Sequence, residues 1–221
     1  MNQKVFQPLS FLKRDAAPGT AQPWLLVLMH GVGSNEQDLF GLASSVPAHF
    51  HVVSLRAPNA VGPGAYAWFQ FGVTPEGQRV INEAQEAASR EQLALTVSAL
   101  SQQLGVPPER VVLGGFSQGG IMALSLLLTQ PRRMHAAMAM HSRLLAEVLP
   151  LRAPLAELQG KQLWVSAGTR DAVLPPAHAQ AVRQLAPQWP LTLTYAEFPS
   201  AHEITAHELA QAMAWLQQLT V

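Results

Sequence analysis

The sequence predicts an α/β fold, with a mostly parallel sheet and helices packed on both of its faces. Short apolar runs typical of buried strands alternate along the chain with segments of helical periodicity. No repeat, low-complexity tract or linker rich in proline, glycine and serine divides the 221 residues, of which 48% are hydrophobic. We therefore expect a single domain over residues 1–221 with a sizeable core.

The elements can be placed from these patterns. Six apolar runs are predicted strands: 24–29, 52–55, 110–114, 134–140, 163–167 and 191–198. The last run alternates in part between apolar and polar residues, as expected near a sheet edge. Helices are predicted over residues 93–104, 118–129, 175–188 and around 209–216.

Two stretches do not follow this alternation. Residues 57–80 hold Tyr66, Trp68, Phe69 and Phe71 among glycines and prolines. A long aromatic loop of this kind is usually functional, and the alternative is a satellite hydrophobic cluster that anchors the loop. Residues 143–160 are rich in leucine and contain two prolines, which indicates short, broken helices. This leucine-rich segment either packs over the rim of a site or forms an interaction or dimer surface.

Composition excludes several classes of protein. Fourteen Lys and Arg balance fourteen Asp and Glu, so the charge expected of a nucleic-acid binder is missing. The absence of cysteine excludes disulfides, thiolate metal sites and a cysteine nucleophile. No apolar run approaches the length of about 20 residues needed to span a membrane, and the N-terminus does not resemble a signal peptide. We expect a cytoplasmic protein with no integral membrane association.

One serine stands where a predicted strand turns into a predicted helix. The motif Gly115-Phe116-Ser117-Gln118-Gly119 follows the strand run VVLG and precedes IMALSLLL. In a nucleophile elbow, the strand and helix approach closely two residues before and two after the serine, so glycine is needed there. Ser117 is the candidate nucleophile, and an ordinary glycine-rich turn is the alternative.

Asp171 is the candidate acid. In α/β-hydrolases the acid and then the histidine follow the serine in the chain, and of the three aspartates only Asp171 follows Ser117. It comes just after the predicted strand 163–167, at the edge where sites of open α/β sheets form. The alternatives are a plain turn aspartate and three glutamates that follow no predicted strand so directly: Glu147, Glu157 and Glu197.

His202 is the candidate base. It lies between the last predicted strand and the last helix, on a loop that can carry an imidazole to the serine. The alternative is an ordinary histidine at a helix N-terminus. His178 and His207 also follow Asp171, but they fall on polar positions of predicted helices, where we expect solvated side chains.

Backbone N–H groups are the expected oxyanion donors. One belongs to Gln118, the residue after the nucleophile, and the other to the loop after the first predicted strand. In that loop, Gly31 and Gly33 let the backbone turn the Val32 amide towards the site. We expect His30 to hold this loop by hydrogen bonding rather than to act as an acid or base.

Together these motifs resemble the phospholipase/carboxylesterase family, small serine esterases that include the acyl-protein thioesterases. The resemblance runs from about Trp24 to Leu216 and rests on the segments 30–33, 56–58, 68–69, 114–120, 168–171 and 201–203. It implies an α/β-hydrolase fold without a large cap domain and hydrolysis of esters or thioesters by Ser117, His202 and Asp171. It also implies that Val32 and Gln118 form the oxyanion hole, and that the loop with Trp68 and Phe69 lines the substrate pocket.

The implied reaction is acyl transfer to Ser117 and then to water. Neither a metal nor an organic cofactor is needed, and the partner is a small-molecule ester or thioester with a small to medium apolar acyl group. One departure from the family is Arg143, which follows His141 and Ser142 and is expected either to narrow the pocket or to add charge to its wall. A peptidase, an acyltransferase and a catalytically silent binding protein on the same fold stay open, as does a homodimer.

Overall fold

The computed structural model describes residues 7–77 and 79–219 and confirms the predicted α/β fold. The strands are β1 (Phe11–Arg14), β2 (Trp24–Met29), β3 (Phe50–Leu55), β4 (Asn59–Gly62), β5 (Ala65–Ala67), β6 (Phe71–Val73), β7 (Arg79–Ile81), β8 (Val111–Phe116), β9 (Ala136–Met140), β10 (Gln162–Gly168) and β11 (Thr192–Phe198). The helices are α1 (Glu36–Phe40), α2 (Glu83–Leu104), α3 (Gln118–Thr129), α4 (Ala177–Leu185) and α5 (Ala206–Gln218).

Seven strands form the central sheet in the order β1-β3-β2-β8-β9-β10-β11. All neighbours pair in parallel except β1, which is antiparallel to β3. The edge position of β11 confirms the prediction drawn from its partial alternation. Strand β1 was not predicted, because its four residues FLKR alternate only between exposed and half-buried and lack an apolar run.

Helices cover both faces of the sheet, as predicted. Helices α2, α3 and α4 pack on one face, around buried residues such as Leu93, Met122 and Val182. Helices α1 and α5 pack on the other, through Leu39 and Trp215. Helix α3 has the predicted bounds, whereas α2 begins at Glu83, about ten residues before its apolar stripe, because its first turns are mostly solvated.

The aromatic segment 57–80 forms two β-hairpins rather than an irregular loop. Strand β4 pairs with β5, and β6 pairs with β7. Between the hairpins the side chains of Trp68 and Phe69 are buried. The segment is therefore a small, anchored addition to the sheet, and no large cap domain occurs among the described residues.

The leucine-rich segment 143–160 consists mainly of two 3-10 helices, Ala146–Leu151 and Leu155–Leu158. Leu145, Val148 and Leu158 are buried in the core, whereas Leu151 and Leu155 are exposed. The burial supports the packed alternative for most of the segment and leaves the oligomeric state a prediction.

Within residues 7–77 and 79–219, no helix combines the length and the apolar character that crossing a bilayer requires. The cytoplasmic location stays a prediction.

Candidate active site

The turn at Ser117 has the geometry of a nucleophile elbow. Ser117 has φ 54° and ψ −118°, a backbone conformation that L-residues rarely adopt. A Cβ atom at Gly115 would lie 2.2 Å from the carbonyl oxygen of Gly119, and one at Gly119 would lie 1.9 Å from the carbonyl oxygen of Met29. Both glycines are therefore required for the close packing of β8, α3 and β2, as the motif predicts.

The three predicted side chains Ser117, His202 and Asp171 come together at the carboxyl edge of the sheet. His202 Nε2 lies 3.0 Å from the Ser117 Oγ, and His202 Nδ1 lies 2.6 Å from Asp171 Oδ2. Because an ionised carboxylate only accepts hydrogen bonds, the proton is on Nδ1, and the lone pair of Nε2 faces the serine hydroxyl. This arrangement can remove the proton of Ser117.

Asp171 is held from several directions. Its Oδ1 accepts the N–H groups of Val173 and Leu174, each at 2.9 Å. Burial would raise the pKa of this carboxyl, but hydrogen bonds from His202, the Leu174 N–H and His141 lower it below its ordinary value. The acid is therefore ionised at neutral pH and holds the imidazole of His202 in place.

Gly168 brings the acid and the histidine loops together. A Cβ atom there would lie 2.4 Å from the carbonyl oxygen of Ala201, so no larger residue fits. Two residues later, the N–H of Arg170 donates to the carbonyl of Ser200 at 3.0 Å. The short loop before His202 is thus packed directly against the turn before Asp171.

A second histidine contacts the same carboxylate. His141 follows β9 directly; its Nδ1 lies 3.1 Å from Asp171 Oδ2, and its Nε2 lies 2.9 Å from Glu208 Oε2. All three side chains are fully buried, and Ser166 Oγ donates to the other oxygen of Glu208 at 2.6 Å. Because both ring nitrogens face carboxylates, the network is best satisfied when both donate, that is, as an imidazolium.

The pKa of His141 agrees with this protonation. Burial lowers the pKa, but hydrogen bonds and charge interactions with Glu208 and Asp171 outweigh burial and raise it above the ordinary histidine value. Neither His141 nor Glu208 was expected to be a site residue from the sequence. His141 carries the same signal as Asp171, a polar residue just after a buried strand, whereas Glu208 looks like any other polar residue of an amphipathic helix.

The two expected oxyanion donors flank Ser117. The N–H of Gln118 is the first of α3 and therefore has no partner within the helix. The N–H of Val32 has no acceptor in the described part of the chain, and Val32 and Gln118 line one small pocket with Ser117. His30 Nε2 accepts the N–H of Ala57 at 3.1 Å, so His30 holds the loop as expected.

The side chain of Gln118 connects the nucleophile to the aromatic segment. Its Oε1 accepts the N–H of Trp68 at 2.8 Å, and its Nε2 donates to the carbonyl of Phe69 at 2.6 Å. The ring of Trp68 is buried and donates from Nε1 to the carbonyl of His30 at 3.0 Å. Trp68 therefore anchors the segment to the protein core. Of the two predicted pocket residues, Trp68 and Phe69, only Phe69 lines the pocket at Ser117.

One pocket is lined by Ser117 and another by His202. The first, called the basic pocket after its two arginines, has a volume of about 30 Å³. It is lined by Ser117, Gln118, Arg79 and Arg143 and by five apolar residues, Val32, Phe69, Phe71, Ile121 and Leu174. The second, the apolar pocket, has a volume of about 280 Å³ and is lined by Leu39, Leu42, Phe116, Ile204, His202 and two acidic residues, Asp38 and Glu203. A larger groove of about 590 Å³, bounded by α2 and residues 129–133, contains none of the candidate site residues.

His141, Asp171 and His202 offer ligand atoms within 4.8 Å of one another, a spacing that a metal ion would also use. In this chain both Nδ1 atoms contact Asp171 at hydrogen-bond distance instead.

The serine lies at a strained strand–helix turn and is hydrogen-bonded to a histidine at the carboxyl edge of a parallel sheet. This arrangement defines a serine hydrolase of the α/β-hydrolase class. The family model described as phospholipase/carboxylesterase matches residues 16–220, and the chain belongs to this family.

Individual relatives agree with this assignment. The crystal structure of esterase PE8 superimposes with a TM-score of 0.80 at 28% identity and covers 96% of this chain and 100% of its own. Acyl-protein thioesterase 1 of Mycosarcoma maydis is 28% identical in an alignment 152 residues long that covers 61% of this chain and 61% of that protein. The Bacillus cereus carboxylesterase, at 22% identity, has the same fold with a TM-score of 0.78 and covers 96% of this chain and 94% of its own.

Proposed function

We propose that this enzyme hydrolyses carboxylic esters or thioesters of small to medium apolar acyl groups, with Ser117 as nucleophile, His202 as base and Asp171 as the orienting acid. The observation that carries the proposal is the continuous hydrogen-bonded path from Asp171 through His202 to the Ser117 hydroxyl, with steps of 2.6 and 3.0 Å. The raised pKa of His141 and the lowered pKa of Asp171 keep charge on the network that supports this path.

Acylation begins when His202 Nε2 takes the proton of Ser117 and Oγ forms a bond to the substrate carbonyl carbon. The carbonyl oxygen becomes negative, and the N–H groups of Val32 and Gln118 stabilise it. The intermediate then expels the alcohol or thiol, which takes the proton from His202. The acyl group is left as an ester of Ser117.

Deacylation repeats these steps with water. His202 takes a proton from the water molecule as its oxygen adds to the acyl carbon, and the same two N–H groups stabilise the second oxyanion. The bond to Ser117 then breaks, and Oγ recovers its proton from His202. The products are a carboxylic acid and the free enzyme.

The substrate class is supported by the pocket beside His202 and by the relatives. Four apolar residues line the apolar pocket of about 280 Å³, which suits an acyl chain of modest length. The relatives include both an esterase and an acyl-protein thioesterase, which supports oxygen and sulfur leaving groups alike.

The test combines turnover with labelling of the nucleophile. We expect the enzyme to hydrolyse 4-nitrophenyl esters of short and medium chains and an acyl thioester, and to react with a fluorophosphonate. Ser117→Ala should abolish the labelling and lower kcat/KM by roughly 10⁴-fold or more. Ser44→Ala, a change at an exposed serine, is the matched control and should retain both.

Two results would contradict the proposal. One is labelling that persists in Ser117→Ala, and the other is the absence of turnover with every ester and thioester in the series. Cleavage of an anilide as fast as the matching ester would instead indicate a peptidase.

A further inference from the structure

The basic pocket carries two guanidinium groups next to the candidate nucleophile. Arg79 comes from β7 in the second hairpin, and Arg143 comes from the segment after β9, so two distant parts of the chain converge on one cavity with Ser117 and Gln118. The pocket also contains the Val32 residue whose N–H is a candidate oxyanion donor. Any group bound there lies beside the reacting carbonyl.

Neither guanidinium of this pair has a carboxylate partner within 4.0 Å in the part of the chain that the structure describes. Elsewhere in the molecule, Arg56, Arg90 and Arg132 each form an ion pair with a glutamate. Arg79 lies over the ring of Phe71 with 5.1 Å between the guanidinium carbon and the ring centroid. This stacking uses the face of the guanidinium and leaves the N–H donors in its plane available.

Burial and charged neighbours both act on this pair of arginines. Arg143 is half-buried, and burial lowers its pKa; Glu147 opposes that effect and Arg79 adds to it, with a net lowering. The pKa of His178 is also lowered by burial and then by Arg143 and Arg79, although Asp171 opposes them. Because a guanidinium is not deprotonated in proteins, both arginines bring a positive charge to the pocket.

The apolar pocket, which His202 lines, has the opposite charge. Asp38 and Glu203 are the charged groups that line it, beside apolar side chains. A negatively charged substrate group is repelled from this side and attracted to the side of Arg79 and Arg143. The small volume of the basic pocket, about 30 Å³, has room for a compact group rather than for a long chain.

We propose that Arg79 and Arg143 form a subsite for a carboxylate, so that the preferred substrates are esters or thioesters that carry a negative charge close to the scissile bond. The inference rests on the proposed function and refines its substrate class, because a neutral apolar ester would leave the half-buried guanidinium of Arg143 without a charged partner. Two N–H donors in one plane on each arginine match the two oxygens of a carboxylate.

The test uses two pairs of substrates, each of which consists of a carboxylate and its neutral methyl ester. The first pair is the mono-4-nitrophenyl ester of adipic acid and its neutral methyl ester, which place the charge on the acyl side. The second is 3-(butyryloxy)benzoate and its methyl ester, which place it on the leaving group. We expect wild type to prefer the anionic member of one pair by roughly 10- to 100-fold in kcat/KM. The pair with this preference tells whether the subsite binds a carboxylate on the acyl group or on the leaving group.

The arginine variants then test the assignment. In Arg79→Gln and Arg143→Gln the ratio of anionic to neutral turnover should fall towards one. Arg143→Lys, which keeps the charge but loses the pair of in-plane donors, should retain only part of the preference. Arg132→Gln, a change far from the pocket at an exposed arginine, is the matched control and should keep the full preference. Because Arg79 is exposed, its variant tests the inference even if substitution of half-buried Arg143 impairs folding.

The outcomes separate this inference from the proposed function. Wild type that turns over both members of both pairs equally would overturn the inference and support the proposed function. A preference that survives in the double variant Arg79→Gln/Arg143→Gln would also overturn it. No turnover of any of the four esters, and none of the 4-nitrophenyl esters or the acyl thioester of the first test, would overturn the proposed function and the inference together.

Discussion

Two histidines share one oxygen of Asp171, and they differ in what their other ring nitrogen contacts. His202 meets Asp171 Oδ2 at 2.6 Å and His141 meets it at 3.1 Å. The second nitrogen of His202 faces the Ser117 hydroxyl, whereas that of His141 faces the carboxylate of Glu208. The side chain of His202 is 18% exposed and that of His141 is fully buried.

The difference shows that the partner of the second nitrogen decides what a histidine can do. His202 can accept a proton from a hydroxyl and return it, because one nitrogen is unprotonated. His141 sits between two buried carboxylates and is stabilised as a cation, which compensates charges that would otherwise be costly to bury. One histidine is thus suited to proton transfer, and the other is a positioning residue for Asp171.

The largest expected effect follows from removing the exposed histidine of the pair. His202→Gln should lower kcat/KM for a 4-nitrophenyl ester by roughly 10⁴- to 10⁶-fold, because the proposed base is lost. The free energy of unfolding, measured in urea, should change little, since His202 is partly exposed. A loss of activity smaller than tenfold would contradict the role of His202.

Removing the buried histidine should have the reverse pattern. His141→Gln leaves Asp171 and Glu208 without their shared cation and should lower the free energy of unfolding by about 3–5 kcal/mol. Activity should fall only by roughly 10- to 100-fold, the effect of one lost hydrogen bond to a charged group on Asp171. Equal losses of activity in the His141 and His202 variants would erase the distinction between them.

Glu208→Gln is the matched control for this prediction. It removes one carboxylate and keeps a side chain of the same shape, whose amide oxygen can accept from His141 while its amide nitrogen donates to the Ser166 hydroxyl. Its unfolding free energy should lie between those of wild type and His141→Gln.

The smallest expected effect is the pH dependence of stability that His141 contributes. Its pKa in the folded protein is above the ordinary value of about 6.5 that it has in the unfolded chain. The folded state therefore binds more protons, and the stabilisation is complete below pH of about 6.5 and is lost as the pH rises through the raised pKa. The difference in unfolding free energy between wild type and His141→Gln should shrink as the pH increases from 6 to 9.

Urea unfolding at several pH values measures this difference directly. Histidines whose pKa values burial lowers, such as His30 and His135, contribute the opposite slope, but they are present in both proteins and cancel. A difference that stays constant over the range would contradict a charged His141.

Local signals in the chain were sufficient for six of the seven strands of the central sheet and for the choice of Ser117, Asp171 and His202 as candidates. Strand β2 and helix α3 have the predicted bounds, because apolar runs and periodicity are local properties. The glycines around Ser117 indicate a turn that only glycine permits. Of the three aspartates in the chain, only Asp171 follows Ser117, so the order of residues selects it. The structure brings these predicted residues to hydrogen-bond distance of one another.

The supporting groups depend on contacts between elements that are far apart in the chain. Glu208 reaches His141 because α5 packs on the sheet 67 residues later, and no pattern around either residue reports this contact. Arg79 lines the same pocket as Arg143 because the second hairpin, β6–β7, folds next to the site. Trp68 is buried, and its N–H donates to the side chain of Gln118, 50 residues away in the chain. Side-chain periodicity and turn chemistry are local, whereas pairing of buried charges is set by how helices and hairpins dock, which only the tertiary structure decides.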